Sequence, residues 1–189
     1  MLGMGSFAAV PACLALPRRI PLVLHEGNAY MGKTNRLFIH RAAAIGLTLP
    51  LADPRQSRST TAVTVGMPLR QALLDAVGTP PDPAFPASLG LLPDRLTVLV
   101  FGGSQGARFI NELFARTAST LPAASASRLQ FIHLTGTDDN QALLQAYQQA
   151  GIPASIRRAD NNIEACYAAA DLVVCRAGAS SICELALFG

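Results

Sequence analysis

From Leu96 to Gly189 the chain alternates short apolar runs with helix-period segments, and this alternation restricts it to an α/β fold built on a parallel sheet. The run Leu96 to Phe101 is followed by Gly102-Gly103-Ser104-Gln105-Gly106. A segment from Ala107 then places Ile110, Leu113 and Phe114 at i, i+3, i+4, the stripe of a helix buried on one side. A second run, Leu129 to Leu134, stops at Thr135-Gly136, after which Asp138 or Asp139 is placed to cap a helix carrying Leu143, Leu144 and Tyr147. The unit repeats. Ala154 to Arg158 reads as strand, Asn161 or Asn162 as a cap, Ile163, Cys166, Tyr167 and Ala170 as one helix face, and Leu172 to Cys175 as a fully buried strand. Strands joined through helices cross over into parallel neighbours, with helices on both faces.

The earlier part reads the same way but starts midway. A turn at Gly3 to Gly5 has no strand before it; a helix near Ala8 to Leu16, a strand Pro21 to His25, a helix from about Lys33 to Ala43, and strands Gly46 to Leu49 and Ala62 to Val65 follow. Between Val77 and Asp94 lies a stretch rich in Pro, Gly and Ala, whose Pro80-Pro81-Asp82-Pro83 cannot continue a helix or a central strand. The expected division is one domain over 1–68, an interdomain connection over 69–95 and a second domain over 96–189. The opening turn and the last helix, beginning near Ser180 and running about two turns, lead to the expectation that both domains are incomplete in this chain.

Composition excludes several classes. With 189 residues, 50% of them hydrophobic and 14% charged, the chain has ample material for packed domains and is not disordered. Its formal charge of +3 comes from arginine, since Lys33 is the only lysine, and no run of like charges forms a nucleic-acid footprint; no nucleic-acid partner is expected. Cys13, Cys166, Cys175 and Cys183 lack C-x-x-C spacing and read as thiols of a reducing, cytosolic compartment rather than disulfides or a zinc site. The longest apolar stretch, Phe7 to Leu16, contains Pro11 and falls short of the ~20 residues a membrane helix needs. Peripheral attachment stays open.

The strongest local chemistry is strand, then Gly102 to Ala107, then helix. Glycine lets the backbone approach an anion, Ser104 adds a hydroxyl donor, and a helix start attracts phosphate; a tight turn serving only packing is the plainer reading. The chain closes on a second such corner, Leu172 to Cys175, then Arg176-Ala177-Gly178-Ala179-Ser180-Ser181, then a helix with Glu184 in its first turn. Two corners in one sheet face one crevice, which favours a nucleotide diphosphate. Glu184 either complements the helix dipole or accepts hydrogen bonds from a ribose. In Leu24-His25-Glu26-Gly27-Asn28, His25 and Glu26 form a possible acid/base pair, and Asn28 has the donors and acceptor to read sugar hydroxyls. His40 and His133 read as structural, and Arg70 as a solvated arginine or a cation facing the crevice.

Taken together, Gly3-Met4-Gly5, His25-Glu26-Gly27-Asn28, Gly66-Met67-Pro68-Leu69-Arg70, Gly102 to Arg108, and Arg176 to Glu184 resemble, in order and spacing, the motifs of the MurG family. These bacterial peptidoglycan glycosyltransferases add N-acetylglucosamine to lipid I to make lipid II. The resemblance implies a GT-B fold of two Rossmann-like parallel-sheet domains facing across a cleft, with residues 1–68 the later part of the acceptor (lipid I) domain and 96–189 the earlier part of the UDP-sugar domain. It further implies that Gly103, Ser104 and Gln105 lie at the donor diphosphate, with Arg70 near the phosphates. Ala179, Ser180, Ser181 and Ile182 would form a helix start at the diphosphate, with Glu184 on the ribose and Asn28 at the N-acetylglucosamine. The implied reaction is an inverting displacement without cofactor or metal, at the cytoplasmic face of the cell membrane, with UDP-N-acetylglucosamine and lipid I as partners.

The chain departs from the family in places. Gly27 replaces the usual glutamine, Gly5-Ser6-Phe7 stands for Gly-Gly-Tyr, and the uracil-lining apolar stretch reads Ala159-Asp160-Asn161-Asn162-Ile163. The family's first glycine loop, with the histidine usually considered as base, belongs before Met1, and its glutamine-bearing segment beyond Gly189. The piece alone is not expected to turn over, and His25 or Glu26 is left as the base within the chain. The rival readings are another GT-B enzyme, such as a lipid glycosyltransferase or an epimerase, and a non-catalytic nucleotide-binding module.

Overall fold

Met1–Leu69 and Arg70–Gly189 form two separate units in the computed structural model, which describes residues 1–57, 60–103 and 108–189. Each is a parallel sheet covered by helices.

In the first unit the described strands are β1 (Leu2–Gly3), β2 (Leu22–Glu26), β3 (Ala42–Leu47) and β4 (Thr61–Thr64), side by side in that order and all parallel. The expected opening turn is thus preceded by a strand. Two residues are too few to show periodicity, and β1 is recognised only by its pairing with Val23 and Leu24. Helix α1 (Val10–Ala15) follows a 3-10 turn at Phe7–Ala9, with Pro11 in its first turn, where no N–H donor is needed. The Arg41 guanidinium donates to the carbonyls of Cys13 and Leu16 and so satisfies the end of this helix.

Helix α2 (Lys33–Phe38) stops short of the expected Ala43; a 3-10 turn over Ile39–Arg41 leads into β3, which starts four residues ahead of the expected Gly46. Ala42-Ala43-Ala44 favours helix intrinsically, but pairing with both β2 and β4 outweighs that preference. Leu22, Leu24, Phe38, Ile39, Ile45 and Leu47 fill the core.

In the second unit the order is β7 (Ala154–Arg157), β6 (Leu129–Leu134), β5 (Leu96–Phe101), β8 (Leu172–Cys175), again all parallel. Alternation along β5 and β6 separates two cores. Val98, Val100 and Phe131 pack with α5 (Arg108–Thr120) and α7 (Gln141–Gln149). Leu99, Phe101, Ile132 and Leu134 pack with α8 (Ile163–Ala168) and α9 (Ala179–Phe188). The 69–95 stretch does more than connect: it forms α3 (Gln71–Ala76) and α4 (Ala84–Ser88), and Leu73 and Leu91 are buried in the second of these cores. Pro86 is accommodated in α4 because it sits in the first turn. A short helix, α6 (Ala123–Ala126), precedes β6.

Other details differ from expectation. The cap of α7 is Asn140, not Asp138 or Asp139, and its side chain makes no capping bond; α8 is capped by the Asn162 carbonyl, which accepts from Ala165 N–H at 3.4 Å. Strand β8 is not fully buried. It lies at the edge of the sheet, with Leu172 58% exposed and Val173 to Cys175 half-buried, so its apolar run reflects one covered face and one partial one.

Candidate functional site

In the first unit the carboxyl end of β2 delivers Glu26, buried, into its own following loop. Oε1 accepts from Asn28 N–H at 3.0 Å and from Asn28 Nδ2 at 3.1 Å; Oε2 accepts from Gly32 N–H at 2.8 Å and from Asn35 Nδ2 at 2.9 Å. Burial alone would raise its pKa, but Gly32 N–H, the Asn35 amide and both Asn28 donors outweigh burial and hold the carboxyl below its ordinary value. Such a carboxylate is a weak base with its lone pairs already occupied.

His25 is buried beside it, with Nε2 3.1 Å from the Gly66 carbonyl and 3.3 Å from Thr48 Oγ1. A carbonyl only accepts, so Nε2 carries the proton and donates. His25 thereby ties the ends of β2, β3 and β4 together. In this arrangement Glu26 anchors the 27–32 loop and His25 anchors the strand ends. The exposed Asn28 is held by Glu26 through its backbone N–H and one side-chain amide hydrogen.

Ser6 adds a strained corner at the end of β1, with φ +65° and ψ 151°, backbone space normally reserved for glycine.

In the second unit the order β7-β6-β5-β8 reverses at β5, so the chain leaves the sheet in opposite directions on either side of the β5–β8 pair. Phe101 is level with Cys175, which sets Gly102-Gly103 beside Arg176 at the strand ends. Such a reversal is where open α/β sheets bind ligands. Gly103 has φ +86°, a left-handed turn that a side chain would strain. Ser104 and Gln105 lie outside the described residues.

After β8, Gly178 N–H donates to the Arg176 carbonyl at 2.8 Å and Gly178 caps α9, whose first residues are Ala179, Ser180, Ser181 and Ile182. The ten-residue helix puts its positive end at the corner. Because it starts at Ala179, Glu184 belongs to its second turn rather than its first, so complementing the dipole is not its main role. Glu184 Oε2 accepts the Tyr167 hydroxyl at 2.8 Å. Arg70 is exposed at the start of α3, within electrostatic reach of Tyr167. Burial, then the hydrogen bond and charge of Glu184, raise the Tyr167 hydroxyl pKa, with Arg70 opposing. Sequence reasoning placed Tyr167 only on an apolar face; its partnership with Glu184, 17 residues away, has no local signal.

Asp160, in the stretch expected at the uracil, is committed to Arg157 at 2.7 Å and to Asn162 N–H at 2.9 Å. A cavity of about 890 Å³ opens between α5 and α7, lined by Arg108, Asn111, Arg116, Thr135 and Asp139 among others.

A parallel sheet whose strand order reverses between β5 and β8 defines an open, doubly wound α/β unit. Residues 97–189 match the glycosyltransferase family 28 C-terminal domain. The whole chain is 40% identical over 190 residues to the UDP-N-acetylglucosamine--N-acetylmuramyl-(pentapeptide) pyrophosphoryl-undecaprenol N-acetylglucosamine transferase of Verminephrobacter eiseniae, covering 100% of this chain and 50% of that protein. It is 36% identical over 189 residues to the enzyme of the same name from Streptomyces coelicolor, covering 99% and 49%. The crystal structure of Acinetobacter baumannii MurG superposes with a TM-score of 0.62 at 27% identity, over 98% of this chain and 48% of that one. Over its whole length the chain resembles these MurG enzymes, and its two parallel-sheet units are of the GT-B class. It spans about half the length of the curated relatives it matches.

Proposed function

We propose that this chain supplies part of an enzyme that transfers N-acetylglucosamine from UDP-N-acetylglucosamine to lipid I, with inversion, to give lipid II for peptidoglycan synthesis. The observation that carries the reading is the pair of corners after β5 and β8 at the sheet reversal, in a chain whose relatives bear that transferase name. Residues 1–68 act as acceptor-side domain and 96–189 as donor-side domain. Gly103, Ser104 and Gln105 with Ala179, Ser180, Ser181 and Ile182 hold the diphosphate, Arg70 adds positive charge, Glu184 takes the ribose hydroxyls and Asn28 a sugar hydroxyl.

In the reaction the 4-hydroxyl of N-acetylmuramic acid attacks the anomeric carbon as the bond to the UDP oxygen breaks, and the hydroxyl proton passes to a base. Charge grows on the departing diphosphate, so N–H groups and a helix dipole fixed beside it favour the transition state over the ground state. The occupied lone pairs of Glu26 make it the anchor of the Asn28 loop in this scheme rather than the base.

The acceptor's lipid tail puts the proposed work at the cytoplasmic membrane surface; among the described residues no helix is long and apolar enough to cross a membrane.

Calorimetric titration with UDP tests the donor site. Ser104→Ala and Glu184→Ala should each weaken binding by about tenfold. Unchanged affinity in both would remove the site assignment, and transfer to other lipids in preference to lipid I would favour a different GT-B enzyme.

A further inference from the structure

Glu184 lies on a helix whose neighbour fixes it from one side. Tyr167 is 5% exposed on α8, packed edge-on against Phe101 at 6.0 Å and tilted against Phe188 at 5.2 Å. With the ring packed between them, the hydroxyl donates to Glu184 Oε2 at 2.8 Å. Leu73 of α3 is buried in the same cluster as Tyr167, which brings Arg70, at the start of α3, to the same corner. Glu184 itself is only half-buried. A half-buried glutamate has three side-chain torsions to order before it can meet two vicinal hydroxyls at once, and that ordering costs affinity unless it is done in advance.

We infer that Tyr167 is a positioning residue for ribose recognition: by occupying Oε2 of Glu184 and fixing the carboxylate plane, it turns the remaining lone pairs toward the 2′- and 3′-hydroxyls of a nucleoside diphosphate. The inference rests on the proposed donor site and adds to it the means by which that site prefers ribose to deoxyribose. It also explains why an otherwise apolar helix face carries a tyrosine where phenylalanine would fill the same space.

The test compares UDP with 2′-deoxy-UDP by calorimetry on the full 189-residue chain and its variants. The parent should bind UDP about tenfold more tightly than the deoxy compound, as expected for hydrogen bonds to a charged group. Tyr167→Phe keeps the ring and its packing; it should weaken UDP severalfold, leave 2′-deoxy-UDP within about twofold of its parent value, and collapse the preference. Glu184→Ala should also collapse the preference while weakening 2′-deoxy-UDP by loss of its 3′-hydroxyl bond, and the double variant should lose no more than Glu184→Ala alone. A uniform loss of both ligands in Tyr167→Phe, or a preference kept intact, would overturn the positioning role while leaving the donor site standing. No UDP binding by the parent chain would instead overturn the donor-site reading, and this inference with it.

Discussion

Glu26 and Glu184 are both carboxylates on the carboxyl side of a parallel sheet, yet the first meets four N–H donors from its own loop and helix, whereas the second meets one hydroxyl among the described residues. The difference follows the sheets. In the first unit the described strands advance in one direction, β1 to β4, and His25, Thr48 and Gly66 close their ends with internal hydrogen bonds. In the second the order reverses at β5, and the ends of β5 and β8 lie beside each other. The same residue type therefore serves as a fastening in one unit and as a half-buried group bonded to a tyrosine hydroxyl in the other. Strand order and local donors decide which.

The comparison breaks most easily at Glu26. Glu26→Ala strands four donors and should destabilise the first unit by about 3 kcal/mol or more, against less than about 1 kcal/mol for Glu184→Ala in the second. Urea unfolding of the two variants measures this, and equal losses would erase the distinction.

The units should also differ in acid. Burial holds His133 neutral, with its pKa pushed down to about 4 from the ordinary 6.5. Its ring links Tyr147 at 3.1 Å and Asn111 at 3.1 Å, which fastens α5, β6 and α7. The unfolded chain takes up a proton below pH 6.5 and the folded one does not. Stability is therefore complete above 6.5 and declines as the pH falls toward 4, by roughly 3 kcal/mol. Glu26 has its pKa lowered from 4.5, so its contribution is present above 4.5 and is lost only as the pH drops through its native value. Hydrogen exchange at pH 7 and pH 5 should show β6 and α7 loosening before β2 does; simultaneous loosening would count against the assignment.

The smallest effect sharpens the picture of the first unit. Ser6→Gly removes a side chain from backbone space suited to glycine and should raise stability by about 1 kcal/mol, read as an increase in Tm; a decrease would show that the Ser6 hydroxyl, 3.5 Å from Ala8 N–H, matters more than the strain.

Much of the second unit was legible in the residues. Strands over Leu96–Phe101, Leu129–Leu134 and Leu172–Cys175 appear where the apolar runs stand; for the two central strands the reason is that a sheet covered on both faces needs continuous hydrophobicity. The alanines before Ile45 were not legible, since their helical preference is local and their strand partners are not. Nor was the burial of Leu73 and Leu91, which follow or precede proline-rich chain yet belong to the core. At the site, the glycine corners were visible as spacing. The pairing of Tyr167 with Glu184, and the commitment of Glu26 to Gly32 and Asn35, were not.

Composition, hydrophobic period and the order of short motifs determined the α/β class, the parallel sheets and the position of both corners, because each depends on residues close in sequence. Tertiary structure alone decided that β8 returns to the other side of β5, that His25 and Glu26 face different partners, and that Glu184 is held by a tyrosine from the preceding helix. Those outcomes depend on hydrogen bonds between groups that the chain brings together only when its cores close, and no local pattern of side chains encodes which donor will be within 3 Å of which acceptor.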